Sequence, residues 1–301
     1  MKALVTGGTG FIGSYIVVEL LEAGHEITIL ARNPSKVSTF TQDERIRFIK
    51  GDLSEHAILR DAVRGMDAVI HVALGWGDEA ETMLLNDTLP SIILMEAAKN
   101  AGVQHFIYTS STACHGEMRK LMGPDSKTRP TDFYGATKAS TENFLIALSH
   151  QSEMRCNIIR PGYTFGNPVV PGASIYSDTR FKDIARNAAR GLPIEVTQHD
   201  GTQFIWAGDL AKIYRSVLES DCNREIYQGL ASVFTSWEDV ARQAIELTGS
   251  SSEIRTINQG YDAEPNLWCV AKIQEHFGYA FNGEPKIPAH LQHFVDQLPT
   301  S

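Results

Sequence analysis

The sequence predicts an α/β chain, with a doubly wound parallel sheet in its first half and a smaller α/β lobe in its C-terminal half. Three observations predict it. A short apolar strand runs straight into a glycine-rich turn and a helix at the N-terminus. Apolar strands then alternate with helical stretches as far as residue 160. Beyond Gly162 the pattern loosens, and Gly166, Pro168, Pro171 and Gly172 mark a loop-rich entry into the remainder. A chain of 301 residues with 43% hydrophobic content is large enough to bury such a core.

Taken in order, Lys2 to Val5 reads as a buried parallel strand. Thr6-Gly7-Gly8-Thr9-Gly10-Phe11-Ile12-Gly13 follows, and a helix runs from about Phe11 to Ala23 before Gly24. Strand, glycine turn and helix are the setting of a dinucleotide fingerprint. Gly7 suits the tight turn, Gly10 lets the backbone approach a pyrophosphate, and Gly13 lets helix and strand pack closely. The helix N-terminus offers N–H groups and partial positive charge to phosphates. The second strand is Glu26 to Ala31. Proteins selective for NAD place an acid at its end. Here Arg32, Asn33, Pro34, Ser35 and Lys36 stand there, so the expected cofactor is NADP, with NAD as the alternative.

Arg45 to Lys50 is the third strand, and Asp52 behind it is placed to accept from an adenine amino group while Leu53 covers the ring. A helix over about 57–64 leads to strand Ala68 to Val72 and the small residues Ala73-Leu74-Gly75. Residues 78–102 read as mostly helical, with Pro90 at a break or a start. His105 to Thr109 is the next strand, then come Ser110 and Ser111, the helix around Tyr134, and strand Cys156 to Arg160 before Pro161-Gly162. Ligands bind beyond the carboxyl ends of such strands, and Gly7, Asp52, Ala73, Ser111 and Pro161 all fall there. In the second half, helices are expected over about 179–191, 209–219, 237–247 (N-capped by Ser236) and 267–277, with strands at 193–196 and 204–206 and a Pro-rich tail. Residues 1–165 are expected to bind the nucleotide, with 203–230 returning to that unit, and 166–301 to form the substrate lobe.

Composition excludes several functions. A net charge of −9 without a basic block argues against nucleic acid. No apolar run reaches membrane-spanning length, and Phe11 to Leu21, which contains Glu19, reads as a buried helix rather than a secretory leader. Cys114, Cys156, Cys222 and Cys269 show neither zinc spacing nor a disulfide framework, which suits a reducing, cytoplasmic setting. His199, His276, His290 and His293 are dispersed and read as surface or capping residues, so no metal is expected.

The chemistry is expected at Tyr134-Gly135-Ala136-Thr137-Lys138. Residues four apart share one helix face. A phenol titrates near pH ~10, and a fixed ammonium beside it favours the phenolate. A phenol tuned in this way can exchange a proton with a substrate hydroxyl. The same spacing also occurs on solvated helix faces. Ser111 can donate to a substrate oxygen or cap local backbone. Cys114 beside His115 invites a nucleophile–base reading, but neighbours in sequence rarely face each other and no orienting carboxylate is evident.

Together these motifs resemble the extended short-chain dehydrogenases/reductases, the NAD-dependent epimerase/dehydratase family. The matching stretches are Thr6 to Gly13, Gly51-Asp52-Leu53, Tyr108 to Ser111, Tyr134 with Lys138, and Arg160-Pro161-Gly162. Residues 204–211 and 273–279 resemble the family's closing segments, so the likeness spans essentially the whole chain. It implies a Rossmann-type lobe, catalysis by Ser111, Tyr134 and Lys138, and a homodimer through helices near 84–99 and 133–148 acting on a small molecule. It implies cofactor contacts from Gly7, Thr9, Gly10, Phe11, Ile12, Gly13, Arg32, Asp52, Leu53, Ala73, Leu74, Thr109, Tyr134, Lys138, Pro161 and Tyr163.

Departures bear on the substrate. Thr112-Ala113 stand where 4,6-dehydratases carry Asp-Glu. Thr202-Gln203 and Trp206 stand where many sugar-nucleotide epimerases carry an Arg and a His, and His115 replaces a common Tyr. The expected activity is hydride transfer at a carbinol or carbonyl carbon of a sugar or sugar-nucleotide-like substrate. The alternatives are an NADP-dependent reductase of a small aldehyde or ketone and a non-catalytic cofactor-binding regulator.

Overall fold

The computed structural model describes residues 1–174 and 179–299. Seven strands form one parallel sheet. They are β1 (Lys2–Thr6), β2 (Glu26–Ala31), β3 (Ile46–Lys50), β4 (Ala68–His71), β5 (His105–Thr109), β6 (Arg155–Pro161) and β7 (Ile226–Gly229). Their order is β7-β6-β5-β4-β1-β2-β3. Strand order therefore switches sides between β1 and β4, where Leu4 lies between Thr28 and Val69. A crevice opens beyond the carboxyl ends of strands at such a switch point.

Both faces of the sheet are covered, which is why β1, β4 and β5 are apolar without alternation. On one face, α1 (Phe11–Glu22) packs beside the helix Ala207–Glu219, burying Ile16, Leu20, Leu210, Ile213 and Tyr214. On the other, α2 (His56–Ala62), α3 (Leu89–Asn100) and α4 (Phe133–Ser149) bury Leu59, Leu94 and Leu145 against Val69 and Phe106. Each such side chain contributes about 1.5–3 kcal/mol when fully buried.

The smaller lobe is held by α5 (Arg180–Ala189), α7 (Trp237–Thr248) and α9 (Ile287–Val295), numbered with Ala207–Glu219 as α6 and Ala271–Phe277 as α8. Its core is aromatic, built on Phe165, Phe181, Phe204 and Trp237. Ser236 caps α7, accepting from the Asp239 N–H at 3.0 Å while the Asp239 side chain reaches back to it.

Two stretches differ from the sequence expectation, and a third, helical as expected, adds a detail. Residues 78–102 hold a short helical turn, Ala80–Met83, then a π-helical turn, Leu84–Thr88, before α3. Pro90 lies in the first turn of α3, where its missing N–H costs nothing. The expected helix over 267–277 begins only at Ala271. Leu267–Trp268 is instead a strand beside Leu121–Met122, because the Gln203 amide accepts from the Trp268 N–H at 2.6 Å and donates to its carbonyl at 3.1 Å. The Pro-rich tail contains α9, which tolerates Pro288 in its first turn and buries Ile287, Leu291 and Phe294. Among the described residues, no helix is long and apolar enough to cross a membrane.

Candidate active site

The glycine turn after β1 is built by close approach. Gly7 has φ +72°, and a Cβ there would lie 2.8 Å from the Ala73 nitrogen. The Gly10 N–H donates to the Gly7 carbonyl at 2.9 Å, and a Cβ on Gly13 would collide with that carbonyl. Any larger side chain would fill this cradle, so the turn fits a pyrophosphate lying over the start of α1. Thr9, Phe11 and Ile12 lie in the same turn and the first residues of α1. Thr6 anchors the turn from below. Its hydroxyl accepts from the Val72 and Ala73 N–H groups at 3.2 Å and meets His71 Nδ1 at 2.6 Å.

Further along the crevice, Arg32 follows β2 with its side chain 84% exposed and Nε 3.6 Å from Asp52 Oδ2. Asp52 Oδ1 accepts from the Ser54 N–H and hydroxyl, each at 3.0 Å. Those bonds, the backbone one foremost, hold the Asp52 carboxyl below its ordinary range. Leu53 is buried, whereas Leu74 is exposed. The buried Thr109 hydroxyl accepts from Tyr214 at 2.8 Å, and Pro161 closes β6. Tyr163 is not brought to this set by its side chain. Its ring packs edge-on against Phe204 at 4.9 Å and Trp237 at 5.5 Å, inside the lobe's aromatic core.

The proton-transfer candidates meet through α4. Asp132 caps this helix by accepting from the Gly135 N–H at 2.6 Å. Ser111 begins the short turn Thr112–His115, its hydroxyl accepting from the Ala113 N–H at 3.2 Å. A Cβ on Gly135 would collide with the Ala113 carbonyl, so only glycine lets α4 lie against that turn. Tyr134 and Ser111 are thereby held on touching segments. Tyr134 is half-buried, with the Trp76 ring 6.2 Å away. Lys138 is buried, with Nζ 5.8 Å from the Tyr134 ring centre, 5.2 Å from that of Tyr108 and 3.4 Å from Asp87 Oδ2. Burial opposes its charge, yet Tyr108, Asp87 and Tyr134 around it hold the ammonium above the ordinary lysine range.

Sequence reading missed Asp87, His71 and Tyr108. An acid among the apolar positions of the 84–95 stretch was the available signal for Asp87; His71 and Tyr108 simply continue apolar strands. The Cys114–His115 pairing is not formed. Cys114 is fully buried, and burial and Glu142 push its thiol up to about 12. His115 Nε2 faces Arg160 Nη1 at 3.1 Å and Gln228 Nε2 at 2.9 Å, both donors, so it is an acceptor in a structural network. His290 is not a surface residue: it is buried, 2.7 Å from Asn167 and packed against Phe181. Among the described residues no group of three or more His, Cys, Asp or Glu is placed to hold a metal ion. All four cysteines are free.

Against known proteins, the family model described as "NAD dependent epimerase/dehydratase family" matches residues 3–228, about three quarters of the chain. The chain belongs to that family. It is 39% identical over 163 residues to UDP-glucose 4-epimerase of Neisseria meningitidis, covering 48% of this chain and 47% of that protein. It is 30% identical over 179 residues to 3 beta-hydroxysteroid dehydrogenase/Delta 5-->4-isomerase of Mycobacterium tuberculosis, covering 55% and 48%. These matches thus span about half the length of each relative. The fold is that of the UDP-glucuronic acid 4-epimerase of Bacillus cereus, solved in complex with NAD, at a TM-score of 0.84 and 20% identity over 98% of this chain and 99% of that one.

Proposed function

We propose that this chain transfers a hydride at a carbinol or carbonyl carbon of a sugar or sugar-nucleotide-like substrate, with Tyr134 as the acid/base. The observation that supports it most is the buried Lys138 ammonium beside the half-buried Tyr134, on a helix seated against the Ser111 turn at the carboxyl edge of the sheet. A bound nicotinamide supplies a hydride acceptor and donor at its C4. The chain's residues handle the proton. Tyr134 takes it from the substrate hydroxyl as the carbon loses hydride, and Ser111 donates to the oxygen as a carbonyl forms. The Lys138 ammonium, 5.8 Å from the Tyr134 ring centre, faces the negative charge that develops there. Return of the proton from Tyr134, with hydride delivered to the opposite face, inverts the carbon.

The second reading, a reductase of a small aldehyde or ketone, is favoured by Arg32. Its exposed guanidinium at the end of β2 suits a 2′-phosphate better than a ribose diol. Cofactor behaviour separates the two. A sugar-nucleotide substrate converted without net change in nicotinamide absorbance supports the epimerase, whereas steady NADPH consumption with aldehydes replaces it by the reductase. Arg32→Ala is expected to weaken NADP binding by at least tenfold and NAD binding by much less. Equal losses in a fluorescence titration remove the case for NADP.

We also infer a cytoplasmic homodimer. The free thiols suit the compartment. Leu84, Leu85 and Leu89 on the π-helical turn and α3, with Phe133 and Phe144 on neighbouring α4, are exposed apolar side chains that a second copy would cover. Combining Leu85→Glu with Phe144→Glu is expected to give a monomer by light scattering, and an unchanged mass rejects this face as the interface.

A further inference from the structure

We propose that Asp87 is the buried counter-ion of Lys138, a positioning residue that holds the ammonium and sets how strongly it favours the Tyr134 phenolate. The inference rests on the acid/base reading of Tyr134 given above. The Asp87 side chain is fully buried. One oxygen accepts from the Gly75 N–H at 3.2 Å, and the other lies 3.4 Å from Lys138 Nζ with no hydrogen-bond partner among the described residues. That second oxygen faces the ammonium as its ion-pair partner.

The backbone around Asp87 is equally constrained. It sits in the π-helical turn Leu84–Thr88, whose wider winding turns both Asp87 and Thr88 inward. Its carbonyl accepts from the Ser91 hydroxyl at 2.6 Å, Ser91 meets His71 Nε2 at 2.8 Å, and His71 Nδ1 meets the Thr6 hydroxyl at 2.6 Å. Thr6 in turn receives the Val72 and Ala73 N–H groups. One chain of hydrogen bonds therefore ties the glycine turn to the Asp87 turn.

Among the described residues, Asp87 is the carboxylate within ion-pair distance of Lys138. Burial, helped by Lys138, holds His71 on β4 down to about 4, so it is neutral. Burial pushes Tyr108 on β5 and Tyr214 on α6 upward, so both remain neutral phenols near neutral pH. Tyr134, on Lys138's own helix, has its ring centre 5.8 Å from the ammonium. A lysine this buried needs a fixed anion to keep its proton, and Asp87 is that anion. The same carboxylate partly cancels the field that Lys138 projects onto Tyr134.

The test follows the Tyr134 phenol by NMR, using tyrosine isotopically labelled at Cζ in the full chain without substrate and assigning its signal by its loss in Tyr134→Phe. Asp87→Asn keeps the shape and removes the charge. It is expected to move the Tyr134 ionisation to lower pH by roughly one unit. Lys138→Met is expected to move it to higher pH, and the double variant to fall between them. A merely structural role gives no such opposed pair. An unmoved Asp87→Asn signal, or a shift in the same direction as Lys138→Met, overturns the proposal. If Asp87→Asn unfolds too readily to titrate, recovery of its thermal stability by adding Lys138→Met supports the ion pair, and no recovery overturns it. An active Tyr134→Phe enzyme defeats the underlying acid/base reading instead, whereas an inactive one with an unmoved Asp87→Asn titration defeats only the role of Asp87.

Discussion

Tyr134→Phe is expected to lower turnover by about 10²–10⁴-fold while leaving NAD affinity within a few-fold of the unmodified protein. The substitution removes one oxygen and nothing else. The Phe ring can still lie 6.2 Å from Trp76 and beneath the Lys138 ammonium, so the packing of α4 on the Ser111 turn is retained. The cofactor cradle at Gly7 and Gly13 is on other elements and is untouched. What disappears is the oxygen proposed to take the substrate proton as hydride is lost. Loss of kcat with an unchanged cofactor titration is the signature of a role confined to the reaction. A variant that keeps most of its rate removes Tyr134 from the mechanism.

Glu142→Gln is expected to destabilise the fold by about 3–5 kcal/mol, read as a lower urea midpoint at unchanged slope. Glu142 on α4 receives both arms of Arg160 on β6, at 2.8 and 2.7 Å, and both side chains are buried. Arg160 also donates to the Pro124 carbonyl at 2.8 Å and to His115 Nε2. The ion pair therefore joins α4, the interior strand β6 and the segment carrying Ser111. Neutralising Glu142 leaves a buried guanidinium facing only the exposed Asp125 among the described acids, too solvated to balance its desolvation. A loss below about 1 kcal/mol would show that water reaches Arg160 and that the pair is not buried in solution.

Much of the first half of the chain was legible because its signals are local. Glu26–Ala31 and His105–Thr109 are apolar runs bounded by turns, and the structure begins and ends both strands at those residues. The glycine turn fits within eight residues, and Gly10 and Gly13 answer to the Gly7 carbonyl in the same segment, whereas Gly7 answers to Ala73 beyond β4. Ser236 before Trp237 signals its own cap. The signal for α9 was also present, in Ile287, Leu291 and Phe294 at helical spacing, but the prolines around them masked it.

By itself, the sequence determined the strand and helix segments, the glycine turn and the placing of Tyr134 and Lys138 on one helix face, because their signals lie within short stretches of chain. Only the tertiary structure decided which charges face each other. Asp87 meets Lys138, and Arg160 meets Glu142, across different elements of the fold. His71 joins Thr6 to Ser91 in the same way. Burial gives these pairs their strength, since a carboxylate acts as a strong counter-ion only where water is excluded. Exclusion of water is a property of packed layers, which no periodicity along a single segment records.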